Sequence, residues 1–270
     1  MTGGGFGSAL ACAALCMAMA APAAGALAQD GAGSSPVLKG RYAAMDHLPD
    51  WSGIWENVSG IHLDRFTAGA PEGQARFQPA SPPYNAEYAA RYRAALAAAA
   101  AGKPINDPTA NCLWPGMPRL MWQPYPLEFI FEPGMVRTNH ETMSQVRRIF
   151  TDGRVHPKDL DPSFNGHSVG RWEGETLVVE TVGLRGDTMF QNTGMPHSDA
   201  LQLVERIRLV ASDILEDEIT MTDPKAFTGP FVTRRHFKRH RDWSILEYVC
   251  EENNRNPTVD GVTQVIGPAK

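Results

Sequence analysis

No lysine, arginine, aspartate or glutamate occurs in the first 28 residues, and only two of the four cysteines lie beyond them. The uncharged stretch "MTGGGFGSALACAALCMAMAAPAAGALA" has a short Ala/Leu/Met-rich core and ends in Ala26-Leu27-Ala28, the A-x-A pattern cut by signal peptidase. Its apolar run is too short and broken to span a bilayer. Residues 1–28 are therefore expected to be a signal peptide, with a periplasmic or secreted protein and no membrane insertion after cleavage. The usual basic residue near Met1 is missing, and neither Cys12 nor Cys16 has a convincing lipoprotein context.

Other absences narrow the function. There is no basic stripe in a chain of net charge −5, which argues against nucleic acid as partner. No His-x-x-x-His, His-Glu-x-x-His or His-x-His spacing marks a metal site, and there is no Rossmann or P-loop fingerprint. No cofactor is expected. Gly166-His167-Ser168-Val169-Gly170 matches the letters of the hydrolase Gly-x-Ser-x-Gly, but that elbow needs a following helix and a strand pattern follows here. Cys112 and Cys250 are an even pair in an oxidising compartment, which favours one disulfide between the front loop and the last strand over a thiol nucleophile.

What remains is ordinary for a folded globular chain, at 43% hydrophobic and 20% charged residues. A flexible segment is expected over 29–47 and a single domain over 48–270. In Trp51-x-Gly53-x-Trp55 the glycine allows a neighbouring element to cross closely on a first strand. One helix is expected over 85–101: Asn85 can cap it, Gly102 ends it, and Tyr88, Tyr92 and Leu96 share a face. Residues 104–126 form a long Pro- and Trp-rich loop. Period-two segments joined by short turns then follow: "LEFIF", "MVRTNHE", "QVRRIF", "SVGRW", "TLVVETV", "LQLVERIRLV", "DEITMT", "FVTRRHF" and "SILEYVC". The expectation is a mainly β protein, an antiparallel meander closed into a barrel with one peripheral helix. The cationic run "RRHFKRHR" (234–241) reads as a solvated strand face, with an anion-binding patch as the alternative.

Certain carboxylates stand in apolar rows. Glu205 alternates with Leu201, Leu203, Ile207 and Leu209; Glu180 and Glu247 stand similarly. An uncompensated buried carboxylate costs several kcal/mol, so such residues must be paired, protonated or beside a wet cavity. A barrel with a polar-lined pocket accommodates them. Two long loops carry further titratable groups: His156, Asp159, Asp161 and His167 in one, Arg185, Asp187, His197 and Ser198 in the other. If both close one mouth, His156 and His197 are placed for acid–base work. Asp152, Asp159 and Asp161 are better explained by turn chemistry.

The words "RRIFTDGRVHP", "GHSVGRWEGETLVVETVG", "PHSDALQLVER", "TDP" and "EYVCEEN" resemble those of a large family of exported bacterial hypothetical proteins, over Trp51 to Asn253. The resemblance implies a lipocalin-like β-barrel, and the Trp51–Trp55 opening is similar to a lipocalin entry strand. It emphasises Arg148, Asp152, Arg154, His156, Trp172, Thr181, His197, Ser198, Glu205 and Arg206. Glu175 stands where Asp is expected in "WEGDTL", a turn substitution.

Two functions follow as expectations. The first is a cofactor-free lyase or isomerase for a small, largely apolar, aromatic compound. Trp114, Trp122, Tyr125, Phe129 and Trp172 would wall the substrate, with Ser198 beside it. His156 and His197 would exchange protons, Asp187 would orient an imidazole, and Glu205 with Arg148 or Arg206 would polarise an oxygen. Formaldehyde-releasing cleavage of a lignin-derived phenylcoumaran fits this set. The second is a periplasmic carrier or sensor that uses the same barrel without turnover. Oligomerisation is left open.

Overall fold

The computed structural model describes Met1, Tyr42 and residues 45–60, 64–66, 77–79, 81–253, 258–259 and 262–263. The expected leader, apart from Met1, and most of the 29–47 segment lie outside these residues.

Nine strands close into a barrel in the spatial order β1 (Ile54–Asn57), β11 (Phe231–His240), β10 (Ile214–Thr222), β9 (Gln202–Ala211), β8 (Thr176–Val182), β7 (His167–Glu173), β6 (Gln145–Phe150), β5 (Met135–His140) and β4 (Leu127–Glu132). Pairing of β1 with β4 completes the ring. Two short hairpins form separate sheets: β2 (Asp64–Phe66) with β3 (Phe77–Pro79), where β2 lies against β11, and β12 (Thr258–Val259) with β13 (Val262–Thr263). The mainly β barrel expected from the alternation is the architecture found. The purely antiparallel meander is corrected at one seam, where β6 and β7 run parallel through Ile149↔Ser168 and Phe150↔Val169. The chain bends at Asp152-Gly153, where the Arg154 amide donates to Asp152 Oδ1 at 3.2 Å, but it continues through residues 151–166 before β7. Such a connection is long enough to reverse the strand's approach.

The strand expected in "SILEYVC" does not form; residues 243–249 are irregular. Both edges of β11 are already occupied, by β10 and β1, so no free edge remains for a further hairpin partner. Cys250 therefore reaches Cys112 from a loop, and the two are joined as a disulfide across 138 residues.

The helix is α1 (Ala86–Ala100), with the Asn85 side chain accepting from the Tyr88 amide at 3.0 Å. Tyr88 is buried and Tyr92 packs on the core, whereas Leu96 is exposed. The helix thus meets the barrel through its first two turns. Tyr84, just before it, anchors that end by donating to the Pro196 carbonyl and ringing against Phe227. Gly53 has φ +105°, and a side chain there would press on Arg239 and the His240 carbonyl at 3.3 Å, so the close crossing expected at Trp51-x-Gly-x-Trp55 is present. Trp55 lies under the Arg239 guanidinium, 4.6 Å from ring centroid to Cζ. Among the described residues no helix is long and apolar enough to cross a membrane.

Candidate functional site

Strand alternation sends every second side chain into the barrel. Most of these are apolar, among them Leu177, Val179, Leu203, Ile207, Leu215, Ile219 and Phe237. Seven neighbouring strands nevertheless each send in a polar group: Thr138 and His140 from β5, Arg147 from β6, Ser168 from β7, Thr181 from β8, Glu205 from β9, Asp217 from β10, and Thr233 and Arg235 from β11, all of them buried. Burial without partners would cost more than the surrounding apolar packing returns locally, so the bonding within this belt decides its worth. Arg147 is the hub. Its Nη1 donates to Glu205 Oε1 at 2.8 Å and its Nη2 to Oε2, a two-pronged contact. The same guanidinium donates to Ser168 Oγ at 3.1 Å and Thr181 Oγ1 at 3.0 Å. The two hydroxyls are themselves 2.8 Å apart.

Asp217 breaks the pattern. It is wholly buried, and neither carboxyl oxygen has a hydrogen-bond partner. Burial raises its pKa well above the usual carboxylate range, the negative charge of Glu205 raises it further, and the charges of Arg147 and Arg235 oppose the shift. Two carboxyl groups in one dry compartment do not both ionise, and the one without hydrogen bonds keeps the proton. Nearby, His140 is pushed down to about 3, by burial first and then by Arg147. Its Nε2 lies 2.9 Å from Thr138 Oγ1, and it is a neutral imidazole at physiological pH.

The barrel wall is incomplete beside this belt. Pairing between β6 and β7 begins at Ile149, so the first half of β6 has no β7 neighbour. A cavity of about 330 Å³ occupies this seam. Trp114, Phe150 and Phe164 line it together with Arg148, Asn165 and His167, and the buried Arg147 and Ser168 contribute to its lining. Trp114 and Phe164 meet edge to face at 6.1 Å. Gly166, at φ +63°, opens β7: a Cβ there would lie 2.5 Å from the Val182 carbonyl oxygen. Arg147 is thus both part of the cavity lining and a partner of the buried carboxyl pair.

The loop residues fall into two places: His156 meets His167, while Arg185, Asp187 and Ser198 line a separate cavity of about 450 Å³. The two loops do run side by side, through Ser163 N to Gly183 O at 3.0 Å and Arg185 N to Ser163 O at 3.1 Å. His156 and His197 nevertheless find different partners. His156 Nδ1 faces His167 Nδ1 at 2.9 Å, one of them donating, while His156 Nε2 is buried without a partner. Burial, His156 and Arg154 together lower the pKa of His167. His197 is buried, with Nε2 2.8 Å from Thr188 Oγ1 and Nδ1 3.0 Å from the Ser198 carbonyl, so both nitrogens are engaged. Burial lowers its pKa. Ser198 donates to Asp223 at 2.6 Å and so ties down the turn at 223–226. Asp187 pairs with Arg185 rather than with an imidazole. Asp159 and Asp161 are exposed.

Of the three carboxylates in apolar rows, Glu205 alone enters the barrel. Glu180 points outward to Arg171, and Glu247 is exposed on the irregular tail. Arg148 and Arg206 both leave the interior: Arg148 stands exposed on the seam cavity, and Arg206 pairs with Glu173 at 3.0 Å. The aromatic residues also part company. Trp114 lines the seam. Trp122 and Tyr125 border a third cavity of about 220 Å³ with Phe190. Phe129 lines a fourth, of about 410 Å³, and with Trp172 packs against Trp51. The cationic run proves to be β11, whose Arg234 and His236 face Glu216 on the outside while Arg235 and Arg239 are buried.

Arg147, Asp217 and His140 were not anticipated. Asp217 carried the same signal as Glu205, standing in the row Leu215, Asp217, Ile219, Met221. For Arg147 the signal was ambiguous, because "QVRRIF" offers one arginine to each face. Among the described residues no three His, Cys, Asp or Glu side chains converge as a metal site would require.

Fold and site together define a closed mixed β-barrel with a buried ionic belt, two members of which, Arg147 and Ser168, line a side cavity. No protein-family model and no curated protein matches this chain.

Proposed function

We propose that the protein is an exported, cofactor-free lyase or isomerase that takes a small, largely apolar aromatic substrate into the seam cavity. The observation that carries this reading is Asp217, a wholly buried carboxyl without a hydrogen-bond partner in the field of the Arg147–Glu205 pair. A barrel that only stored a ligand would be more stable without it, and such groups concentrate where proton transfer is needed. Glu205 and Asp217 lie behind Arg147 and do not line the cavity, so the groups that meet the substrate as base and acid are His167, in the lining, and its hydrogen-bonded partner His156. One base and one acid match a redox-neutral elimination. In phenylcoumaran cleavage the base takes the hydroxymethyl O–H proton, and the freed electron pair forms the C=O of formaldehyde. The breaking C–C bond supplies a C=C bond, and the ring C–O pair passes to the phenolic oxygen, which takes the acid's proton. Arg147 polarises the reacting oxygen from the cavity lining, the buried carboxyl pair sets the field behind it, and the His156–His167 hydrogen bond carries the proton from the base position to the acid position.

A non-catalytic carrier is the second reading, favoured by the full engagement of His197. Incubating the mature protein with a panel of lignin-type dimers and small aromatics, followed by mass spectrometry for substrate loss and aldehyde release, separates the two. Turnover in the unaltered protein that is abolished in His167→Ala and lowered in Asp217→Asn supports the enzyme. Binding without turnover in the unaltered protein makes it a carrier.

A further inference from the structure

The seam cavity has an electrostatic character that acid–base chemistry on a neutral aromatic would not require. Its lining contains two guanidinium groups and an imidazole, and no carboxylate. This occurs in a chain of net charge −5. Arg147 is answered by Glu205 behind it. Arg154 and Arg185, which lie over the faces of Phe150 and Phe164 at 3.9 and 4.7 Å, are answered by Asp152 and Asp187. Arg148 has no acidic partner among the described residues.

Strand register sharpens the point. Arg148 on β6 stands directly opposite Arg137 on β5. Like charges facing each other across an antiparallel pair are destabilising. Arg137 is compensated by Glu132, yet its Nε remains buried without an acceptor. An anion at Arg148 would relieve this repulsion. Along β6, Val146, Arg148 and Phe150 recur at period two on the outer face, so an apolar group, a cation and an aromatic ring succeed one another at roughly 7 Å intervals. That is the complement of a flat ring system bearing a carboxylate.

We infer that the ligand of the seam cavity is an aromatic carboxylate and that Arg148 binds its carboxylate group. The inference rests on the reading of this cavity as the substrate site and gives that substrate its chemical class. A planar guanidinium matches a carboxylate with two parallel N–H donors, which an ammonium cannot do. A cavity of about 330 Å³ is at the small end of ligand pockets and suits a compound of one or two rings.

The test uses the mature protein and isothermal titration with cinnamate and with cinnamamide, its uncharged amide of the same shape. Cinnamate is expected to bind more tightly, by about 10- to 100-fold, with affinity falling as salt is added. Arg148→Gln should bring cinnamate down to the level of cinnamamide and leave cinnamamide unchanged. Arg148→Lys should recover only part of the difference. Because Arg148 is exposed, Arg148→Lys is expected to keep the thermal transition of the parent, and Arg148→Gln, which removes one of the two facing charges, to keep it or raise it slightly. Equal binding of the acid and the amide, binding of neither, or cinnamate binding indifferent to Arg148→Gln would overturn the inference. The catalytic reading fails separately: Arg148-dependent binding with no turnover of carboxylated dimers removes the enzyme and leaves the anion site standing. Equal turnover of neutral and carboxylated dimers does the reverse.

Discussion

Arg147 and Glu205, 58 residues apart in sequence and on strands from different parts of the barrel wall, meet inside it in a two-pronged ion pair that is closed to solvent. The pair is embedded in hydroxyls from Ser168 and Thr181. Breaking one member of such a pair strands the other charge in a dry interior. We expect Arg147→Met to cost about 3–5 kcal/mol, and Arg147→Met combined with Glu205→Leu to restore most of it. Urea unfolding of the two single variants and the double variant measures this as a coupling energy. A double variant no more stable than Arg147→Met would show that the charges do not depend on each other.

Asp217 should show the opposite behaviour. Its folded pKa is raised above its unfolded value by burial and by Glu205. The stability linked to it is therefore complete at low pH and is lost as pH rises above about 4. Asp217→Asn removes this loss. The variant is expected to be more stable than the parent at pH 7–8, by about 1–3 kcal/mol, and nearly equal to it at pH 3. In the catalytic reading it also lowers turnover, because the field behind Arg147 changes. Melting temperatures across pH, measured beside activity, test both halves, and a destabilised Asp217→Asn at pH 8 would refute the first.

The histidines carry their own pH dependence. His140, His167 and His197 are all held below the ordinary imidazole value, chiefly by burial, with His140 at about 3. For a depressed histidine the unfolded chain takes up the proton first. The stability is present above pH 6.5 and lost as pH falls below it. The slope for His140 approaches about 1.4 kcal/mol per pH unit below pH 6. Unfolding free energies between pH 7 and pH 4 should therefore decline, and His140→Gln should flatten the decline by about one proton's worth. An unchanged slope in that variant would place the titration elsewhere.

The Cys112–Cys250 disulfide closes a loop spanning most of the barrel. In the chain-entropy picture a closure across 138 residues is worth about 5 kcal/mol. Replacing both cysteines with serine should lower stability by several kcal/mol and release the tail after β11 to protease. Peptide mapping after brief proteolysis of the two proteins checks the second effect. Seam-cavity binding should survive, since neither cysteine lines it.

Much of the barrel was legible in the chain because a half-buried strand writes its faces at period two, and short turns mark where each strand stops. Eight of the expected strand segments became β4 to β11 for that reason. "SILEYVC" carried the same pattern and failed, since alternation reports what a segment could pair with and not whether an edge is free. Glu205 was legible because a carboxylate in a row of leucines and isoleucine is conspicuous. Glu180 looked alike and points outward, because its row, Thr176, Val178 and Glu180, turned out to be the outer face of β8.

The sequence by itself determined the class of fold, the helix and its cap, the close crossing at Gly53 and the pairing of Cys112 with Cys250. Each of these follows from local backbone preference, face periodicity or a count of two. The tertiary structure alone decided that β6 and β7 run parallel, that Arg147 rather than Arg148 turns inward, that Asp217 is buried within the field of Glu205, and that His156 and His197 part company. Those facts depend on register between strands distant in sequence and on ring closure, and a shift of one residue exchanges the two faces of a strand.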